Sequence, residues 1–191
     1  MNLNDLITDY TNRVDPNREP RKVGRYYASE LGSIIMGYKT ANEFFHPDPI
    51  PTQNAKMIEE GNATENHLAM IFKEMNVPVE MQAKKEIKID DITLVVKTDF
   101  LFKKFVAELK RPARKVRAIP EKWVYQLEAT YRAFNLPVQL WQASYPHEYS
   151  SLKYTPSDER WETIKKALNN YHIEVRNIER SLKLKEKHGE K

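Results

Sequence analysis

Apolar residues recur along this chain with two different periods, which separate its helices from its strands. Residues 26–45 carry apolar side chains at helical spacing, and a second such stretch runs from about 52 to 75. Between them lies the proline-rich run from His46 to Pro51, and a proline inside a helix removes a hydrogen bond. The pattern therefore predicts two helices, preceded by a loosely held N-terminal arm over residues 1–24.

The middle of the chain changes to the pattern of strands separated by tight turns. The predicted strands are residues 85–90, 92–102, 105–111 and 138–144. Pro120 opens a helix that reaches about Phe134, and Ser157 is placed to cap a long final helix. The resulting order, α-α-β-β-β-α-β-α, predicts the α/β (mixed α+β) class, with a central mixed sheet of about four strands flanked by helices.

Length and composition exclude several kinds of protein. A length of 191 residues favours one domain, consisting of the arm (1–24), a core (26–145) and a C-terminal helix with a basic tail (157–191). There are no cysteines, which excludes disulfides, thiolate zinc sites and cysteine nucleophiles. Neither a membrane-spanning run nor a signal peptide is recognisable, so we expect a cytoplasmic location, or the host cytoplasm if the protein is viral.

The positive charge suits a polyanionic partner. The formal charge is +4 and the pI about 9.0. Basic residues concentrate in two places, and both clusters can equally be read as solvated surface charge. The first cluster is Lys103, Lys104, Lys110, Arg111, Arg114, Lys115, Arg117 and Lys122, and the second is Arg180, Lys183, Lys185 and Lys187.

Two acids and a lysine converge on neighbouring predicted strands. Glu108 and Lys110 are two residues apart, so they project from the same face of their strand. A hairpin turn at Lys103-Lys104 brings Asp99 on the preceding strand across from Glu108. Two carboxylates and a backbone carbonyl offer the hard oxygen ligands that Mg²⁺ and Mn²⁺ prefer, and a lysine beside them can orient water or stabilise developing charge. The alternative is a surface ladder of opposite charges.

These residues resemble the motifs of the PD-(D/E)XK nuclease superfamily, in particular its RecB-like and lambda-exonuclease-like branches. Thr98-Asp99 and the run from Phe105 to Lys110 match the D…ExK core, Gly61 to Glu65 resembles the first motif, and Gln126 resembles the glutamine motif. The resemblance covers about residues 26–145 and implies a restriction-endonuclease-like core. Related CRISPR-associated nucleases carry iron–sulfur cysteines, which are absent here, so no cluster is implied.

The resemblance also implies a role for each matched residue. Glu65, Asp99, Glu108 and the carbonyl of Leu109 would hold one or two Mg²⁺ or Mn²⁺ ions. Lys110 would position the attacking water, and Gln126 would steady that lysine or the scissile phosphate. The loop that follows the ExK strand would grip phosphates through Arg111, Arg114, Lys115 and Arg117.

Two positions depart from the family pattern and leave alternatives open. The RecB-like branch usually has a histidine near the position of Glu65. Here His67 lies two residues further on, and the two side chains diverge on a helix. We favour Glu65 as the ligand. The family tyrosine lies four residues after the glutamine, whereas Tyr131 lies five after it, and Tyr125 is the other candidate.

The expected function is hydrolysis of DNA phosphodiester bonds by a metal-dependent nuclease. The alternatives are a catalytically idle protein of the same fold that binds nucleic acid or a protein partner, and a basic helical protein that binds through its C-terminal tail. The sequence leaves open exo- versus endonuclease action, strand polarity and preference, and the oligomeric state, including a homo-oligomer. It also leaves open the pathway, whether recombination, DNA repair, defence or viral genome processing.

Overall fold

A computed structural model of the chain describes residues 21–47, 51–144 and 148–188. The predicted arm up to residue 20 and the last three residues of the basic tail lie outside the described residues. The strands are β1 (Arg25–Tyr27), β2 (Glu80–Met81), β3 (Lys84–Ile89), β4 (Ile92–Lys97), β5 (Phe100–Leu101), β6 (Val106–Lys110), β7 (Val138–Ser144) and β8 (Glu148–Lys153). The α-helices are α1 (Leu31–Ile35), α2 (Asn42–Phe45), α3 (Thr52–Glu74), α4 (Glu121–Phe134) and α5 (Asp158–His188).

The strands form two mixed sheets flanked by helices, which confirms the predicted fold class. One sheet has the order β1-β4-β3 and the other β2-β5-β6-β7-β8. β1 and β4 are parallel, as are β6 and β7, and the remaining neighbours are antiparallel. The sheet therefore differs from the expected one of about four strands, and β8 is an additional strand after β7.

The predicted strand 92–102 is divided between the two sheets at Thr98-Asp99. The amide of Thr98 donates a hydrogen bond to the carbonyl of Ala83 at 2.9 Å, and its hydroxyl donates to the carbonyl of Ala107 at 3.3 Å. Thr98 is fully buried. These bonds hold the chain where it passes from β4 to β5, so Asp99 lies at the junction between the sheets.

The single helix predicted over residues 26–45 is wrong. Tyr26 lies in β1, pairs with Leu94 of β4 and is completely buried. A short 3₁₀ helix and α1 follow, and the chain then turns at Gly37, whose φ of +72° is a left-handed conformation that favours glycine. Parallel pairing with β4 therefore overrides the local helical pattern.

The other predicted elements are close to the observed ones. The helices expected over 52–75 and 120–134 are α3 and α4, and the strands expected over 85–90, 105–111 and 138–144 are β3, β6 and β7. The amide of Arg160 donates to the hydroxyl of Ser157 at 3.3 Å, so Ser157 caps α5 as expected. Among the described residues, no helix is long and apolar enough to cross a membrane.

An aromatic cluster fixes α3 against the second sheet. The ring of Phe72 lies 5.4 Å from that of Phe100, 5.6 Å from that of Phe102 and 6.0 Å from that of Trp141, measured between centroids. Glu65 precedes Phe72 by about two helical turns and therefore shares its face of α3. The packing of Phe72 thus turns Glu65 towards the sheet.

Candidate active site

Asp99 is held opposite Glu108 by the hairpin of β5 and β6. Phe100 pairs with Ala107, and the next position in that register places Asp99 across from Glu108. The amide of Leu109 donates a hydrogen bond to Oδ2 of Asp99 at 2.6 Å. One acid of the predicted pair is therefore fixed by the backbone of the strand that carries the other.

Glu108 lies in the interior of the protein, with no exposed surface. The amide Nε2 of Gln126 donates to its Oε2 at 2.9 Å, and the hydroxyl of Thr130 donates to its Oε1 at 3.2 Å. Burial, reinforced by the charge of Asp99, raises the pKa of Glu108 to about 8, although Lys110 opposes that shift. Each carboxylate oxygen thus has a donor from α4, and the whole group is poorly solvated.

Lys110 is close enough to both acids to influence them. Burial raises the pKa of Asp99, and the nearby ammonium of Lys110 and the Leu109 amide partly offset the shift. Lys110 is half-buried at the end of β6. The structure therefore brings Asp99, Glu108 and Lys110 together, as the spacing of these residues predicts.

Glu65 lies near Asp99 and Lys110, whereas His67 does not face these residues. The side-chain Nε2 of Gln82 donates a hydrogen bond to Oε1 of Glu65. Burial raises the pKa of Glu65, the Gln82 bond lowers it, and the charge of Asp99 raises it further. His67 is exposed and lines a separate groove of about 210 Å³ with Arg111 and Tyr149. The geometry supports Glu65 as the residue of the first motif.

The donor set fits a divalent cation that keeps part of its water shell. Within residues 21–47, 51–144 and 148–188, no three His, Asp or Glu side chains come together closely enough to form a complete metal site. Mg²⁺ usually takes only one or two carboxylates from a protein and completes its octahedron with water and substrate phosphates. Asp99 and Glu108, two opposed and poorly solvated carboxylates, provide that number of oxygen ligands.

The predicted phosphate-binding residues lie at the end of β6 and on the loop after it. Arg111 is half-buried and pairs with Glu60 of α3 at 3.4 Å, whereas Arg114, Lys115 and Arg117 are exposed. The side chain of Gln142 binds both backbone polar groups of Val116 in this loop. Its Oε1 accepts a bond from the Val116 amide at 2.9 Å, and its Nε2 donates to the Val116 carbonyl at 3.1 Å.

Neither candidate tyrosine has a described contact with the acidic pair. The hydroxyl of Tyr125 donates to Glu121 at 3.2 Å. Tyr131 is half-buried against the apolar cluster that contains Leu127 and Val138, with the guanidinium of Arg132 5.6 Å from its ring centre. Both tyrosines are therefore occupied in packing and local polar contacts.

Comparison with known proteins identifies the architecture. No protein-family model and no curated protein matches the chain. Its structure is similar to that of SSO0001, with a TM-score of 0.67 and 13% identity over 91% of this chain and 86% of that one. It is also similar to LHK-Exo, an alkaline exonuclease from Laribacter hongkongensis, with a TM-score of 0.58 and 13% identity over 84% and 94% of the two chains. A phage-related exonuclease from Haemophilus somnus 129PT gives a TM-score of 0.56 and 11% identity over 95% and 100%.

The chain has the fold of these exonucleases. At 11% to 13% identity the similarity concerns architecture, which confirms the fold implied by the resemblance to PD-(D/E)XK nucleases. One fold can carry several activities, so the function has to be argued from the site itself.

The structure also places polar neighbours beside the acids that the sequence pattern does not indicate. Gln82 bonds to Glu65, and Lys97 lies close enough to lower the pKa of both Glu65 and Asp99. Thr130 is one helical turn after Gln126, so it could have been found by following the same face of α4. Gln126 itself donates to Glu108, whereas the expected partner was Lys110 or the scissile phosphate.

Proposed function

We propose that this protein is a divalent-metal-dependent nuclease that hydrolyses phosphodiester bonds of DNA. The observation that carries the proposal is the convergence of Asp99 and Glu108 beside Lys110, in a chain with the fold of exonucleases. A surface ladder of opposite charges would not bury Glu108 completely or give each of its oxygens a donor from another element.

Each residue has a distinct task in this proposal. Asp99, Glu108 and the carbonyl of Leu109 would hold Mg²⁺ or Mn²⁺, and Glu65 would bind the water shell of that ion or a second ion. Such an ion polarises a phosphodiester and lowers the pKa of bound water. The ammonium of Lys110 orients the attacking water and stabilises the negative charge that develops on the phosphate. Gln126 keeps Glu108 oriented through its 2.9 Å bond.

The surroundings of the site suit a polyanion. Arg111 directly follows Lys110, and the loop that carries Arg114, Lys115 and Arg117 is fastened beside it by Gln142. Basic side chains of this kind contact phosphates without reading base sequence. The groove between His67, Arg111 and Tyr149 adjoins the same end of β6 and offers a path for the strand next to the site.

The test is incubation of the purified protein with linear and with closed circular DNA, in Mn²⁺ and in chelator. We expect cleavage in the sample with Mn²⁺ and none in the sample with chelator. Lys110→Ala should slow cleavage by about 10²- to 10³-fold, because one electrostatic contact to the transition state is removed. DNA binding should be nearly unchanged in that variant, and Lys84→Ala, which alters an exposed lysine of β3, is the matched control.

The outcomes separate the nuclease from the idle alternative. A Lys110→Ala variant that cuts at the wild-type rate would refute the proposed role of this lysine. Wild-type protein that binds DNA but cuts neither substrate would instead identify a catalytically idle protein of the same fold. The circular substrate distinguishes exonuclease from endonuclease action, because an enzyme that requires DNA ends leaves closed circular DNA intact.

A further inference from the structure

A glutamine side chain lies between two carboxylates of the candidate site. Nε2 of Gln82 donates a hydrogen bond to Glu65, and the same side chain lies close enough to Asp99 to lower the pKa of that carboxyl. A primary amide has two N–H donors, so one group can serve both acids. Gln82 therefore connects α3, which carries Glu65, with the junction of β4 and β5, which carries Asp99.

The backbone of Gln82 is fixed to that same junction. Its amide donates to the carbonyl of Asp99 at 3.1 Å, and the preceding residue, Met81, pairs with Phe100. Its φ of +56° lies in the left-handed region, which is uncommon for a residue other than glycine and persists where the surrounding structure enforces it. The side chain is thus presented to the acids by a constrained turn.

We propose that Gln82 is an additional ligand of the divalent cation, with Oε1 as the ligating atom. This inference rests on the proposed metal-dependent function. The terminal torsion of a glutamine is broad and roughly two-fold, so a half-turn exchanges Nε2 and Oε1. The N–H groups face Glu65 and Asp99 in this structure, and a cation bound beside Asp99 would attract the oxygen instead.

The chemistry of an amide oxygen suits this position. Amide carbonyls are hard, neutral ligands of the kind that Mg²⁺ and related ions accept. After burial, the charge of Asp99 is the next contribution that raises the pKa of Glu108, so each of these two acids disfavours the ionised form of the other. A neutral third donor adds coordination without adding to that repulsion, which a further carboxylate would increase.

Calorimetric titration of Mn²⁺ into the DNA-free protein tests the inference. Gln82→Ala should weaken Mn²⁺ binding by about 10- to 100-fold, the range found when a supporting residue of a metal site is removed. Gln82→Glu should bind Mn²⁺ at least as tightly as wild type, because it keeps an oxygen donor and adds a negative charge. Gln53→Ala removes an exposed glutamine of α3 and should bind as wild type does.

The half-turn of the Gln82 side-chain amide can be followed by NMR. In a ¹⁵N-labelled sample, the side-chain amide signal that disappears in Gln82→Ala identifies Gln82. Addition of Mg²⁺ should shift this signal, because its N–H groups leave the carboxylates. An unshifted signal at saturating Mg²⁺ would contradict the proposed exchange of Nε2 for Oε1.

The possible results are distinguishable from a failure of the proposed function. If Gln82→Ala binds Mn²⁺ as tightly as wild type or more tightly, or if Gln82→Glu loses binding, Gln82 is not a ligand. Asp99→Asn provides the reference for the site itself. If wild type and Asp99→Asn bind Mn²⁺ equally, the proposed metal centre fails. If Asp99→Asn loses Mn²⁺ binding while Gln82→Ala keeps it, only the proposed role of Gln82 is refuted.

Discussion

Glu108 and Gln126 are joined in the protein interior by a hydrogen bond of 2.9 Å, although they come from different elements. Glu108 belongs to β6 and Gln126 to α4, and both are buried. Thr130, one turn further along α4, donates to the other oxygen of Glu108. One face of α4 therefore sets the orientation of the most deeply buried acid in the site.

The first prediction concerns pH in the absence of metal. The pKa of Glu108 is raised from its usual 4.5 to about 8, so between these values the folded protein holds a proton that the unfolded chain has lost. The free energy of unfolding therefore decreases as the pH rises through this window, and the stability gained from the protonated Glu108 is lost. The raised pKa values of Glu65 and Asp99 act in the same direction.

Thermal unfolding in chelator at pH 5.5 and pH 8 measures this effect. The unfolding temperature of wild type should be lower at pH 8 than at pH 5.5. The decrease should be smaller for Glu108→Gln, which keeps the shape of the side chain but does not titrate. Equal losses in both proteins would mean that Glu108 is not the buried group responsible.

The second prediction concerns Asp99→Asn. This change removes the negative charge that helps to raise the pKa of Glu108, and an asparagine oxygen can still accept the Leu109 amide. The unfolding temperature in chelator should therefore stay unchanged or rise. The same change should abolish the heat of Mn²⁺ binding and the rise in unfolding temperature that Mn²⁺ produces in wild type. Asp90→Asn, at a turn outside the site, is the control, and full Mn²⁺ heat in Asp99→Asn would exclude Asp99 as a ligand.

The third prediction concerns the basic loop. Gln142 is almost completely buried and makes two hydrogen bonds to the backbone of Val116. Gln142→Ala should lower the free energy of unfolding by about 1 to 3 kcal/mol, because buried partners lose their bonds. It should also weaken DNA binding, measured by fluorescence anisotropy, since the loop that carries Arg114 and Arg117 is released. Gln139→Ala on the same strand should spare DNA binding, and equal affinities in both variants would show that the loop makes no important contact.

The fourth prediction compares two glycines. A Cβ at Gly61 in α3 would meet nothing within 4 Å, so Gly61→Ala should stabilise the protein by about 0.5 to 1 kcal/mol through helix propensity. A Cβ at Gly32 would collide with the backbone carbonyl of Lys122, so Gly32→Ala should destabilise it. Urea unfolding measures both changes, and a less stable Gly61→Ala protein would contradict the open space seen at this position.

Local patterns in the sequence predict the hairpin of Asp99, Glu108 and Lys110 because its parts are close in the chain. Glu108 and Lys110 follow a period of two, and the turn before them brings Asp99 opposite. The same logic fails where long-range pairing decides. Tyr26 and Tyr27 continue a helical pattern, yet they form β1, since Tyr26 pairs with Leu94 far along the chain.

Gln82 illustrates the same limit within the site. It is far in sequence from both Glu65 and Asp99, and a glutamine after a two-residue strand carries no recognisable signal. Only the packing of Phe72 on the second sheet, which brings α3 to the junction of β4 and β5, places the three side chains together. The acids could therefore be predicted from spacing, whereas the polar groups between them could not.

Crystals grown in Mn²⁺ and measured for anomalous scattering test the metal centre most directly. We expect an anomalous peak between Asp99 and Glu108, about 2.1 Å from a carboxylate oxygen of each, at the distance typical of small octahedral cations. The absence of a peak there at saturating Mn²⁺, with both carboxylates still turned towards Gln126 and the Leu109 amide, would contradict a metal-dependent active site at this position.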